Sequence, residues 1–238
     1  MRNHFQVAKL RRRVIFCFSF LMAVSFYTPV FASFFQVAHK FTNSQITILF
    51  ACYSLSTFIF EIPTGLLGDK VGERESLIIG SGLIIISTSL FIFGNTPLLY
   101  VGEIIFGIGS TFFSGPFEAL VYQYCKSSED ETNYSKIVSR TYSLQWLALC
   151  FSFIGCFFLS KFGNVTVPFY ATLGSNILTF IAAFLYPKSR KTGTKNQTPF
   201  FVYLFTKLQR TESSVKIAFL MLSFPCFWYA GINSCSLT

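Results

Sequence analysis

Charge is what this 238-residue sequence has least of. Only 12% of its residues are Asp, Glu, Lys or Arg, against roughly 25% in a soluble domain. That leaves too little polar surface for a water-exposed globule. The seven cysteines make no CxxC pair and no Cys/His ligand spacing. Cys17, Cys52, Cys150, Cys156, Cys226 and Cys235 lie inside apolar runs, and Cys125 sits at the edge of one. They read as small apolar helix residues rather than as metal ligands or disulfide partners. No nucleophile–base arrangement is visible either, which argues against an enzyme, and nothing calls for a metal or cofactor.

What is present is apolar: 52% hydrophobic residues, including 32 Phe. About 20 apolar residues cross the hydrocarbon core as a helix rising 1.5 Å per residue. Six stretches meet or approach that length, at 14–35, 46–67, 76–93, 98–124, 137–160 and 165–186. A further apolar stretch, 215–238, reads as part of a seventh span. The runs are continuous, whereas barrel strands alternate over about ten residues. Helices also satisfy their own backbone groups in lipid. The expected class is therefore an all-α integral membrane protein. The basic segment and apolar run at the amino terminus resemble a signal peptide, but the run is longer than a usual signal core and more spans follow, so it is expected to be retained.

The net charge of +9 does not point to nucleic acid, because the basic residues fall between apolar runs instead of on one face. Their distribution sets topology. Seventeen of the 19 Lys and Arg lie in the amino-terminal segment and in alternate connections, and only Lys40 and Lys161 lie in the others. By the positive-inside rule, the amino terminus and the long polar stretch after span six are cytoplasmic. Residues 1–187 then form a six-helix membrane bundle, 188–214 a basic cytoplasmic linker and 215–238 the incomplete seventh helix.

Between spans two and three, residues 61–75 run Glu-Ile-Pro-Thr-Gly-Leu-Leu-Gly-Asp-Lys-Val-Gly-Glu-Arg-Glu. Gly65, Gly68 and Gly72 permit a sharp turn and close helix approach. Asp69 and Arg74 can form a polar latch against neighbouring helix ends. This segment resembles the signature loop of the major facilitator superfamily: Gly65, Asp69, Lys70, Gly72 and Arg74 match it, while Glu73 stands where the family usually has a basic residue. Residues 61–65 and Gly115-Pro-Phe-Glu-Ala-Leu-Val-Tyr122 are similar to a bacterial branch of the same superfamily. The sequence Phe41-Thr-Asn-Ser-Gln-Ile46 carries the capping chemistry of a helix start. The resemblance covers about 14–186.

That resemblance implies two inverted three-helix repeats, a gating role for the signature loop, and a cavity lined by spans one and four. Tyr27, Gln36 and Glu103 become candidate cavity residues. It implies transport of a small solute across a plasma membrane (the inner membrane in a bacterium) by alternating access, with a proton as candidate coupling ion. Alternating access needs a second wall, so a carboxy-terminal half or a second copy is the expected partner. The competing expectation is a truncated, non-transporting remnant or a half-transporter.

A carboxylate at mid-bilayer costs at least ~2.5–3.5 kcal/mol, so acids inside spans are functional candidates. There are three: Glu61, Glu103 and Glu118. Glu103 and Glu118 share a broad face of span four but differ by roughly 22 Å in depth. Glu61, Glu118 and Arg140 lie at similar depths near the inner face, and a cluster of Glu118 with Arg140 or Arg74, joined by Glu61, is expected. Glu103 stands four residues before Gly107, where many proton-coupled members of the superfamily carry Arg; a carboxyl there can take up a proton or bind a cationic solute. Small residues along span four (Gly107, Gly109, Ser110, Ser114, Gly115) suit close packing, and Pro116 is expected to kink it.

Overall fold

The computed structural model describes residues 2–127, 134–162 and 164–186. The expected linker at 188–214 and the seventh apolar stretch at 215–238 lie outside the described residues. So does the side chain of Asp69.

The described chain is helical: α1 (Arg2–Ala23), a 3-10 turn (Thr28–Val30), α2 (Phe31–His39), α3 (Asn43–Val71), α4 (Glu73–Phe93), α5 (Thr96–Ser127), α6 (Tyr134–Phe162) and α7 (Val167–Leu185). Among the described residues, six stretches are long and apolar enough to cross a bilayer: Arg12–His39, Asn43–Gly68, Glu73–Phe93, Thr96–Tyr122, Tyr134–Lys161 and Val167–Leu185. They agree with the six sequence-derived runs to within a few residues at each end. Large apolar side chains such as Phe58, Trp146, Ile154 and Leu185 stand outward, as lipid contact requires and water would penalise.

Local chemistry explains the boundaries. Thr42 caps α3 through a capping box: its side chain accepts from the Gln45 backbone N–H, and the Gln45 side chain accepts from the Thr42 N–H. This satisfies two donors that a helix start leaves unpaired. The α3–α4 turn rests on Gly72 at φ +112°, ψ 155°, a region that L side chains rarely enter. The Gly72 N–H closes α3 on the Gly68 carbonyl at 2.8 Å, and its carbonyl starts α4 by accepting from the Ser76 N–H at 3.0 Å. Both α3 and α5 run as helix through an internal proline, Pro63 and Pro116.

The first span departs from expectation. It is not one helix: α1 stops at Ala23 and the axis resumes as α2 at Phe31. Pro29 sits at the start of the intervening turn, where its lack of an N–H and its fixed φ fit a break. The freed backbone groups find neighbours. The Ser25 N–H donates to Ser152 Oγ on α6 at 2.9 Å, and the Tyr27 N–H donates to Thr172 Oγ1 on α7 at 3.2 Å. Irregular backbone at membrane depth is tolerated only when protein covers it in this way.

The helices pack across the two sets of three spans. The fourth span, α5, packs most extensively, against α4 and then α3; α4 also lies against α7, and α1 lies along α6 and more lightly against α7. Two buried clusters fill the interior. One gathers Phe18, Leu77, Phe113, Phe117 and Leu120; the other is aromatic, built from Tyr27, Phe31, Phe34, Phe35, Phe91 and Phe169.

Candidate functional site

Close contact between α3 and α5 positions the first pair of polar groups. Gly107 lies so near α3 that an added Cβ would sit 2.9 Å from the Tyr53 carbonyl oxygen, and one at Gly68 would sit 3.2 Å from the Pro116 ring. Along that seam, Ser114 on α5 approaches Glu61 on α3, Oγ to Oε1 3.5 Å. One turn further along α5, the Glu118 carboxylate accepts from the Tyr142 hydroxyl on α6 at 3.1 Å. Glu61, Ser114, Glu118 and Tyr142 are all exposed. Four polar side chains from three helices therefore share one open face of the bundle, all within apolar spans. Gly115 adds room, since nothing lies within 4 Å of a Cβ built there.

The expected cluster takes a different form. Among the described residues no ion pair joins Glu118 to Arg140 or to Arg74. Tyr142, two residues beyond Arg140, holds Glu118, and two residues turn a helix by about 200°. The face that brings Tyr142 to Glu118 thus carries Arg140 away, and Arg140 is exposed. Arg74 is engaged elsewhere. Its Nη2 donates to the Phe184 carbonyl at the end of α7 at 2.8 Å, and its guanidinium stands 5.9 Å over the Phe184 ring. That carbonyl belongs to the last turn of α7, where cations are favoured. Within the signature loop, Gly72 makes the turn, Gly68 gives the close approach and Lys70 is exposed, while Gly65 has open space where a Cβ would stand.

The other candidates scatter. Gln36 is exposed near the end of α2 and donates to Asn43 Oδ1 at 2.7 Å. Tyr27 is buried and stacked on Phe169 with ring centroids 4.9 Å apart. Glu103 is only 4% exposed, within electrostatic range of Tyr27.

Sequence reasoning missed a second polar feature. A cavity of about 60 Å³ lies where the first span breaks, and Ser25, Ser81, Thr172, Asn176 and Thr179 supply its polar lining beside Tyr27. Its signal was readable on α7. Thr172, Ser175, Asn176 and Thr179 recur at helical spacing, the pattern of a single face, in an otherwise apolar run.

With this geometry in view, the relatives are informative. The sequence profile of the Major Facilitator Superfamily matches residues 14–236. A lactose permease of Citrobacter freundii is 27% identical over 164 residues, covering 67% of this chain and 38% of the permease. A lactose permease of Klebsiella oxytoca is 31% identical over 144 residues, 57% of this chain and 34% of its own length. An uncharacterized MFS-type transporter of Methanocaldococcus jannaschii is 23% identical over 240 residues, 95% of this chain and 61% of that transporter. The chain thus spans between about a third and three fifths of these relatives. Six apolar helices, the Gly-rich loop after the second span and a match over nearly the whole sequence agree: the chain belongs to the Major Facilitator Superfamily.

Proposed function

We propose that this bundle forms one wall of a secondary transporter that moves a small solute by alternating access. The observation that carries the reading is the open polar face of Glu61, Ser114, Glu118 and Tyr142. Two carboxylates at span depth cost ~2.5–3.5 kcal/mol each if they face hydrocarbon at mid-bilayer. A water-filled path removes that cost, so such a face belongs against a solute pathway and not against lipid. Rocking about a midplane site needs a second bundle opposite this face, supplied by further polypeptide or by a second copy. The excess of basic residues in the amino-terminal segment and in 188–214 supports a cytoplasmic amino terminus at the plasma membrane in this reading.

The two permease relatives make a disaccharide the first solute to test. The chain is reconstituted in liposomes, alone and with any carboxy-terminal continuation its reading frame encodes, and counterflow of labelled lactose and other small sugars is measured. An imposed acid-outside gradient in the same vesicles tests proton coupling. Saturable counterflow that falls in Glu118→Gln supports the reading. Leakage identical to protein-free liposomes in both forms, across a panel of sugars, amino acids and organic cations, contradicts it.

A further inference from the structure

Four exposed cations play no part in the polar face. Arg12 and Arg13 stand where the first apolar span begins, and Lys136 and Arg140 stand in the first turns of α6. The helices that carry them, α1 and α6, lie side by side and run in the same direction. Ile15 and Ile137 share one buried cluster near their beginnings, and further along the Ser25 N–H meets Ser152 Oγ at 2.9 Å. Arg13 precedes Ser25 by twelve residues, and Arg140 precedes Ser152 by twelve. The two arginine positions are therefore nearly level.

Their azimuth follows from a ring pair further along. Phe20 on α1 and Phe151 on α6 meet with centroids 6.2 Å apart. At ~100° per residue, Arg13 lies about 20° from Phe20 around α1, and Arg140 about 20° from Phe151 around α6. Both arginines thus flank the seam that the ring pair marks. Leu147 and Ile154 fall on the same stripe of α6, and both are exposed, as is Phe151. Such a stripe meets acyl chains in a bilayer, and the cations stand at its end, within reach of headgroups. No acidic residue occurs on α1 or α6. The acids nearest to α6 in the sequence, Glu129, Asp130 and Glu131, precede it and lie outside the described residues. Two guanidinium groups at one level repel each other unless an anion joins them, and each presents a planar fork of donors that matches phosphate. A water-soluble anion leaves the apolar stripe uncovered, and a zwitterionic lipid brings a cation of its own to the same place.

We infer that the seam between α1 and α6 is a docking site for an anionic phospholipid in the leaflet where these helices begin. Its phosphate is held by Arg13 and Arg140, and an acyl chain lies along Phe20, Phe151 and Ile154. The lipid bridges the first and fifth spans from outside. The inference rests on the helices crossing a bilayer and not on a solute pathway, so it stands or falls independently of the transport reading.

The test uses the full chain, delipidated in detergent and melted with dioleoyl phosphatidylglycerol or with the phosphatidylcholine of the same acyl chains. At some thirty times the dissociation constant, mass action by phosphatidylglycerol raises the melting temperature by roughly 4–8 °C, and phosphatidylcholine gives a smaller shift. Arg13→Gln and Arg140→Gln are each expected to weaken the apparent affinity for phosphatidylglycerol about fivefold. Lys161→Gln, which removes the same charge at the far end of α6, is expected to leave it unchanged. Should the arginine variants fail to fold, native mass spectrometry of the unmodified chain with equal amounts of both lipids is expected to show phosphatidylglycerol retained in preference. Equal shifts or equal retention with the two lipids overturn the inference. So does a phosphatidylglycerol shift that persists in both arginine variants, or one that inorganic phosphate reproduces, since the site then takes a free anion and not a lipid.

Discussion

Replacing Gly107 by Ala offers a sharp test of how the polar face is assembled. A Cβ at this position overlaps the Ser56 hydroxyl, lies 3.1 Å from Thr57 Oγ1 and lies 2.9 Å from the Tyr53 carbonyl oxygen. The Ser56 side chain can rotate aside. The carbonyl cannot, because it belongs to the α3 backbone and accepts from both Ser56 and Thr57, at 2.8 and 2.9 Å. The helices must separate instead, and overpacking of this kind costs about 1–3 kcal/mol. Gly115→Ala is the matched control, on the same helix and with nothing within 4 Å of its Cβ. Both substitutions gain the same helix propensity, up to about 1 kcal/mol, so their difference isolates packing. Near the middle of the range, about 2 kcal/mol, a chain of this size loses roughly 4–8 °C. Thermal unfolding of both variants in detergent is expected to place Gly107→Ala below Gly115→Ala by that margin. Equal melting temperatures would refute the close α3–α5 seam, and with it the geometry that sets Glu61 beside Ser114.

Three further outcomes follow from single contacts. Thr172→Val deprives the Tyr27 N–H of its acceptor at the break in the first span and is expected to destabilise by about 1–3 kcal/mol, whereas Thr172→Ser largely restores stability; melting curves distinguish the two. Arg74→Met removes the donor to the Phe184 carbonyl and is expected to cost about 1.5–3 kcal/mol, with Arg74→Lys milder because a cation remains at the end of α7. Tyr142→Phe deletes the hydroxyl that holds Glu118; under the transport reading, counterflow is expected to fall about tenfold while melting changes little, because the pair is exposed.

The architecture was largely legible in the sequence because bilayer thickness converts apolar run length into span count. The capping box at Thr42 and the turn at Gly72 were legible too, each resting on the stereochemistry of a few adjacent residues. The break between Ala23 and Phe31 was not. The stretch stays uncharged and within one apolar run, and Pro29 alone does not distinguish a kink from an interruption; hydroxyls on α6 and α7, more than 120 residues away, make the interruption tolerable. The expectation for Glu118 failed for a related reason. Depth along the bilayer brought Arg140 level with it, but depth says nothing of azimuth, and Tyr142 occupies the facing side of α6. Glu103, by contrast, proved more deeply buried than its nearness to the end of its span suggested, because α5 packs there on α4, with Phe91 and Leu90 against the adjacent Gly102 and Tyr27 of the aromatic cluster close by.

In the transport reading, one face of this bundle meets water at membrane depth while the rest meets lipid. In a cysteine-free background, Ser114→Cys and Ile154→Cys are each treated with a membrane-impermeant thiol reagent in sealed and in opened vesicles. Labelling is expected at position 114 and none at position 154. Equal labelling at the two positions, or labelling at 154 alone, would contradict it.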